Sequence, residues 1–454
     1  MTDNLRIWLS NPLAIYTGND EDASGGIVVS GKTIVELVAK GETPVNIDQT
    51  IDVSDQVLIP GLINTHHHFY QTLTRALPAA LNKELFPWLQ TLYPVWANLD
   101  PEVHRAATKL ALAELLLSGC TTASDHHYLF PANLTDAIDH QVEIGREMGV
   151  RMAMTRGSMS LGQDQGGLPP NTVVQTEDEI LQDSERLVSR YHDSEPYSMS
   201  QIALAPCSPF SVTTELMRDT ASLAKQLNVR LHTHLAETID EENFCERSLG
   251  MRTVDYLESV GWLSSNTWLA HGIHFNDEEI ARLGKAGVGV CHCPSSNMML
   301  ASGIAKVKEL EAAGSPVGLG VDGSASNDCS NMIQEVRQAM YIQRLRYGSS
   351  AITHFDAYRW GTKGSAQVLG RDDIGELAVG KAADLALFKL DEPRFSGAHD
   401  PLAALLLCGA HRAEAVMVNG EWRVKAGELV GQDIERIMYE HKEAANTLAA
   451  RAIS

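Results

Sequence analysis

Apolar positions along the chain fall into two textures. Near the start, short β-rich runs (Ile7 to Leu9, Leu13 to Tyr16, Gly26 to Ser30, Thr33 to Val38) are broken by the turn residues Gly18-Asn19-Asp20 and Gly31-Lys32. The same texture returns at Ala383 to Phe388, Ala415 to Val418 and Glu421 to Val424, with Asn419-Gly420 as the signal of a type I′ hairpin. Neither set is long enough to close a core alone, so the two ends are expected to build one β-sandwich. Between them, apolar runs of strand length alternate with helical patterns. The runs are Leu58 to Thr65, Thr121 to His126, Arg151 to Thr155, Ile202 to Ala205, Arg230 to His234, Thr267 to His271, Val288 to His292 and Val317 to Val321. Helical patterns include Pro101 to Ser118, Thr214 to Leu227, Asp277 to Ala286 and Ser330 to Tyr347. This alternation predicts an α/β fold, a closed (β/α)₈ barrel of the TIM type. No Gly-x-Gly-x-x-Gly opens an early helix, as a dinucleotide-binding sheet would require. The expected division is a small β-sandwich domain with a C-terminal helix from residues 1–58 and 376–454, and a barrel from residues 59–375.

Composition narrows the function classes. With 454 residues, 44% hydrophobic and 21% charged, the chain has ordinary globular composition. Lys+Arg 36 against Asp+Glu 58 gives a net charge of −22, which argues against a nucleic-acid partner because phosphate contact needs clustered cations. The longest apolar stretch, Pro401 to Ala410, is far below the roughly 18 residues of a membrane span. The start, Met1-Thr2-Asp3-Asn4-Leu5-Arg6, lacks the basic and apolar runs of a signal peptide. Seven cysteines, odd in number and irregularly spaced, do not form a disulfide framework. A cytoplasmic enzyme acting on a small molecule is the expectation that remains.

The 17 histidines are the compositional oddity, and they gather where a barrel carries its chemistry, at the C-terminal ends of the strands. His66, His67 and His68 follow the first barrel strand and His126-His127 the second. His232 and His234 end the fifth, with Glu237 just beyond; His271, His292 and Asp322 end the sixth, seventh and eighth. A lone strand histidine is ordinary core, but imidazole at five strand ends is not. Strand side chains alternate, so His66 and His68 face one side and His67 the other. His66 and His68 make a good divalent-metal pair, either His232 or His234 could supply a third nitrogen, and Asp322 adds an oxygen. Such a set suits zinc, with iron possible.

These residues carry a family resemblance. Pro60-Gly61-Leu62-Ile63-Asn64-Thr65-His66-His67-His68 resembles the strand-1 motif of the amidohydrolase superfamily, and His232-Thr233-His234-Leu235-Ala236-Glu237-Thr238 the strand-5 motif of its deaminase branch. Leu269-Ala270-His271-Gly272, His292-Cys293-Pro294-Ser295-Ser296-Asn297 and Gly318-Leu319-Gly320-Val321-Asp322-Gly323 resemble the motifs of strands 6, 7 and 8. Gly375-Glu376-Leu377 onward to Asp384-Leu385 is similar to the stretch that leads the family's chain back into its β-sandwich. The resemblance implies one divalent metal, zinc before iron, on His66, His68, His234 and Asp322, with His232 behind them. It also implies Glu237 as proton shuttle and His271 as the group orienting the water or the leaving group. No Lys stands at the strand-4 end, where the chain reads Ala205-Pro206-Cys207, so a two-metal site is disfavoured.

The implied reaction is hydrolytic deamination of an amino-substituted heterocycle. Asp322 would accept the proton of water, and Glu237 would protonate the ring nitrogen and help expel ammonia. The other zinc-deaminase design, His-x-Glu with Pro-Cys-x-x-Cys, is rejected: His441-Lys442-Glu443 matches its first half, but the second half occurs nowhere. Candidate substrate contacts are Gln71, three residues past His68, Trp88 in the aromatic segment Leu77 to Trp96, and Arg156 and Cys207 at the ends of strands 3 and 4. The segment around Trp88 is either a lid over a flat ring or a core patch under the loop. The run His66-His67-His68-Phe69-Tyr70-Gln71 and Leu73-Thr74-Arg75-Ala76-Leu77-Pro78-Ala79-Ala80 resembles the group of the branch that converts 8-oxoguanine to urate and ammonia. Alternatives in the branch are s-triazine hydrolysis and deamination of guanine, isoxanthopterin or S-adenosylhomocysteine. A silent barrel used as a scaffold is disfavoured because every ligand position is filled. A homo-oligomer is the family's default.

Overall fold

The structure, a computed structural model, describes residues 5–453. Its strands are β1 (Arg6–Ser10), β2 (Ala14–Ile15), β3 (Gly26–Ser30), β4 (Thr33–Val38), β5 (Gln49–Asp52), β6 (Gln56–Pro60), β7 (Leu62–Asn64), β8 (Cys120–His127), β9 (Arg151–Ser158), β10 (Ser200–Pro206), β11 (Leu231–Leu235), β12 (Thr267–His271), β13 (Gly289–His292), β14 (Val317–Leu319), β15 (Leu385–Lys389), β16 (Ala415–Val418), β17 (Glu421–Lys425) and β18 (Glu428–Leu429). They form three sheets.

The first sheet, in the order β4-β3-β1-β5, uses only the N-terminal segment. The second, β18-β17-β16-β15-β6-β2, joins the two chain ends: β6 runs antiparallel to β15, with Val57 opposite Phe388. Leu9, Ile27, Val29 and Ile34 of the first sheet pack with Leu58, Leu385, Leu387 and Met417 of the second, so the two sheets share a core separate from that of the barrel. The expected hairpin joins β16 and β17, with Asn419 and Gly420 both at positive φ, 53° and 82°, as a type I′ turn requires. β5 was not anticipated. Its residues Gln49-Thr50-Ile51-Asp52 are mostly exposed and polar, and they join the sheet through parallel pairing with β1.

The third sheet is the barrel: β7 to β14 neighbour one another in chain order, all parallel. β14 returns to the start of the barrel through Thr65, whose amide and hydroxyl both donate to the Leu319 carbonyl, at 2.9 and 3.0 Å. Beyond it the Asp322 amide donates to the His66 carbonyl at 3.1 Å. That last bond holds the segments after strands 1 and 8 side by side.

One expected strand is two. The run Leu58 to Thr65 divides at Gly61 into β6 in the sandwich and β7 in the barrel. Both halves are buried, so hydropathy shows no break between them. A side chain at Gly61 would place its Cβ 2.2 Å from Thr121 Oγ1, so the crossing between domains needs glycine. After β7, a helix α1 (Leu85–Trp96) covers the strand ends and is followed by α2 (Pro101–Leu117). The C-terminal helix, Ile434–Ile453, packs on α2, on α1 and on the turn Phe69–Thr74, where His441 Nε2 meets Thr72 Oγ1 at 3.0 Å.

Candidate active site

His66, His67 and His68 leave the end of β7 and point alternately. His67 turns away from the barrel axis, with Nε2 2.8 Å from Ser330 Oγ. His66 and His68 turn inward with their rings 4.7 Å apart. Carbonyl partners settle which nitrogens carry protons. His68 Nδ1–H donates to the His126 carbonyl at 2.7 Å, and His234 Nδ1–H to the Cys207 carbonyl at 2.7 Å. His232 Nδ1–H donates to the Trp268 carbonyl at 3.0 Å, so its Nε2 is an acceptor and takes Nδ1–H of His66 at 2.8 Å. His66, His68 and His234 therefore all present an Nε2 lone pair inward.

Those lone pairs meet a carboxylate. Asp322 Oδ1 lies 3.3 Å from Nε2 of both His66 and His68, and His234 Nε2 lies 3.2 Å from His68 Nε2. Burial holds His66 and His68 below the ordinary imidazole value and His234 down at about 3, so all three are neutral. Burial works against ionisation of Asp322, whereas a proton on the neighbouring rings, that of His66 first and then those of His271 and His68, would hold the carboxyl well below its usual range. Acceptors converging this closely with no proton between them repel one another, and His66 Nε2 has no hydrogen-bond donor. A cation at their focus removes both problems. Three imidazole nitrogens and one carboxylate oxygen fit one divalent ion, zinc by donor type, with iron tolerated by imidazole.

The reacting side of the site is built from abrupt turns. Ala236, His271 and Asp322, at the ends of β11, β12 and β14, all have left-handed backbone, with φ of 53°, 73° and 61°, a conformation uncommon outside glycine. The turn at Ala236 brings Glu237 inward. Its Oε2 lies 3.4 Å from His271 Nε2, and its Oε1 lies 3.5 Å from Ser302 Oγ. Burial pushes the Glu237 carboxyl up to about 7. His271 donates from Nδ1 to Asn297 Oδ1 at 3.0 Å. Burial pulls its pKa down, but Glu237 and Asp322 outweigh burial and raise it.

A cavity opens over these groups, walled by α1 on the far side. Gln71, Trp88 and Cys207 line it, together with His68, His234, Glu237, His271 and Asp322. Gln71 Oε1 and Trp88 Nε1 are buried without a partner. Gln71 reaches over Gly323, where a Cβ would fall 1.9 Å from its Oε1. The segment 77–96 faces two ways. Trp88 and Tyr93 face the cavity, while Trp96, which is 0% exposed, packs on Tyr70 and bonds Thr74 Oγ1 at 3.1 Å.

Arg156 is a correction. It does not line the cavity: its guanidinium is committed to Asp183 at 2.8 Å, Gln175 at 2.9 Å and the Gly157 carbonyl at 2.6 Å, over the Phe130 ring. It follows His127 in the strand pairing, and His127 faces away from the metal ligands, bonding the Leu129 carbonyl. Tyr128, Phe210 and Leu300 line the cavity but were not singled out. Tyr128 follows the His126-His127 pair, which was a usable signal, whereas Phe210 and Leu300 carried none.

A parallel barrel whose strand ends focus imidazoles and carboxylates on one point, at the floor of a cavity, defines a metal-dependent hydrolase. Residues 57–423 match the family model described as "Amidohydrolase family". The chain is 63% identical over 446 residues to the 8-oxoguanine deaminase of Pseudomonas aeruginosa, covering 98% of this chain and 99% of that protein. It is 34% identical over 472 residues to an isoxanthopterin deaminase from an unknown prokaryotic organism, covering 98% of each. The zinc complex of atrazine chlorohydrolase from Arthrobacter aurescens superposes with a TM-score of 0.92 at 33% identity, covering 97% of this chain and 100% of that one. This chain belongs to the amidohydrolase family.

Proposed function

We propose that the protein is a hydrolytic deaminase that converts 8-oxoguanine to urate and ammonia. The observation that carries the reading is the placement of Glu237 against His271 and Asp322, under a cavity whose unpartnered Gln71 carbonyl asks for a ring N–H. The near full-length similarity to an 8-oxoguanine deaminase supports the choice of ring.

His66, His68, His234 and Asp322 are the residues that would hold the metal, which when bound lowers the pKa of a coordinated water to about 7. Asp322 is placed to accept a proton from the water that adds at C2. Glu237, with its carboxyl at about 7, is matched to give a proton to the adjacent ring nitrogen near neutral pH. His271, fixed by Asn297, faces both carboxylates through Nε2, at 3.4 Å from Glu237 and 3.9 Å from Asp322, and orients the water or the departing amine. Loss of the C2 amine as ammonia leaves the C2 carbonyl of urate. Trp88 lends an aromatic wall, and Cys207 holds His234 through its backbone carbonyl.

Ammonia release from 8-oxoguanine, guanine and isoxanthopterin at equal concentration, by zinc-loaded protein, tests the reading. Preference for 8-oxoguanine is expected. Preference for another ring would move the specificity, and no ammonia from any would overturn the reaction.

The division into residues 1–58 with 376–454 and 59–375 belongs to the same proposal, supported by the separate cores of the sandwich and the barrel. Among the described residues, no helix is long and apolar enough to cross a membrane. A cytoplasmic location is supported by seven cysteines that are all unpaired thiols. A homo-oligomer is proposed from the family resemblance.

A further inference from the structure

The segment Thr238-Ile239-Asp240-Glu241 opens the helix Ile239–Leu249 with the spacing of a capping box, in which Glu241 would return to the Thr238 amide. The side chains do something else. Thr238 Oγ1 accepts from the Glu241 amide at 3.4 Å, as a simple cap. The Glu241 carboxylate passes Thr238 and takes the two amides before it, Ala236 N–H at 3.1 Å on Oε1 and Glu237 N–H at 2.9 Å on Oε2. Glu241 is 0% exposed, and among the described residues it forms no ion pair. Burial pushes the Glu241 carboxyl up to about 8, so placing it here works against folding, and it spans the two peptides that turn Glu237 into the cavity.

The other face of the same turn is fastened to the end of strand β12. The Ala236 carbonyl accepts from the amides of Ile273 and His274 at 2.9 and 3.0 Å, and the Leu235 carbonyl accepts from Gly272 at 3.1 Å. The left-handed residues Ala236 and His271 therefore sit in turns bonded directly to one another, with the Glu241 carboxylate closing the free side. We propose that Glu241 is a positioning residue: it holds the Ala236–Glu237 peptides so that the Glu237 carboxylate meets His271 at the reacting ring. This rests on the reading of Glu237 as the proton shuttle. An amide at 241 cannot reproduce the contact, because its carbonyl can accept one N–H while its NH₂ faces the other donor.

The test compares Glu241→Gln and Glu241→Asp with the wild type in kcat, KM, bound zinc per chain and the crystal structure of each variant. Asp keeps the carboxyl group but is too short to span both amides, and it serves if Gln fails to fold. Loss of about 10²-fold in kcat is expected, the scale of an ångström-level misplacement. KM should stay within about threefold and zinc should stay at wild-type stoichiometry. The crystal structures should show the Glu237–His271 contact, 3.4 Å in the wild type, opened or turned. Wild-type kcat in both variants, or activity lost only in proportion to zinc or folded protein, would overturn the proposal. If wild-type enzyme fails to deaminate 8-oxoguanine, the substrate reading fails, and the Glu237–His271 contact in the variant crystals still decides the role of Glu241.

Discussion

His232 and His66 share one hydrogen bond of 2.8 Å, and its direction selects the nitrogen that His66 turns to the metal focus. The Trp268 carbonyl fixes the proton of His232 on Nδ1 at 3.0 Å, and the His232 ring stacks on Trp268 at 4.4 Å. Without that partner, His66 is free to place its proton on Nε2 and lose its inward lone pair. His232→Phe is therefore expected to weaken zinc binding by about 10- to 100-fold, read by competition with a chromogenic chelator, while His232→Gln, which keeps an acceptor, should lose less.

Glu237→Gln keeps the shape of the carboxyl but cannot shuttle a proton. Turnover should fall by about 10²- to 10⁴-fold, with bound zinc unchanged by elemental analysis. Near-full activity would remove Glu237 from the reaction.

Glu335 gives a pH signature apart from the metal ligands. Its buried carboxylate accepts from the Ser295 amide at 2.9 Å, Ser295 Oγ at 2.6 Å and Asn327 Nδ2 at 3.0 Å, tying together the segments after strands β13 and β14. Burial raises its pKa from 4.5 to about 7. The folded state thus holds the proton more tightly than the unfolded chain, so this contribution is complete below pH 4.5 and is lost as pH rises through about 7. Glu335→Gln should lower stability overall but flatten that slope. Denaturant midpoints at pH 5 and pH 8 check it: the gap between variant and wild type is expected to narrow at the higher pH.

Asp384 ties the sandwich to the barrel. Its carboxylate pairs with the Arg151 guanidinium at 3.0 and 3.1 Å, with both side chains nearly fully buried, and accepts the Asn419 amide at 2.6 Å. Asp384→Ala leaves a buried guanidinium unpaired and should cost about 3–5 kcal/mol, seen as a lower midpoint in chemical unfolding.

Most of the architecture was legible because strand and helix periodicities are local. Seven of the eight barrel strands were expected close to where they lie, and the asparagine-glycine hairpin showed its turn type in two residues. The failures have physical causes. Leu58 to Thr65 read as one strand because hydropathy reports burial, and both halves are buried, in different cores. Gln49–Asp52 was invisible because an exposed strand stabilised by backbone pairing carries no apolar alternation. In the site, His66, His68 and Asp322 stood out as candidate ligands because His-x-His and a strand-end Asp are constrained by chemistry as well as position, while the choice of His234 over His232 rested on the family resemblance. Arg156 was misjudged because a strand end does not say which way a long side chain turns, and Asp183 takes it. Glu241 was hidden behind a capping-box pattern whose usual bond the structure does not make.

The most direct test of the account is turnover of 8-oxoguanine by zinc-loaded protein in ¹⁸O-labelled water, followed by mass spectrometry of the product. Urate carrying one ¹⁸O from solvent, with one ammonia released per ring, is expected. Unlabelled urate would contradict addition of water at C2, and no urate while zinc stays bound would contradict the assignment of the substrate.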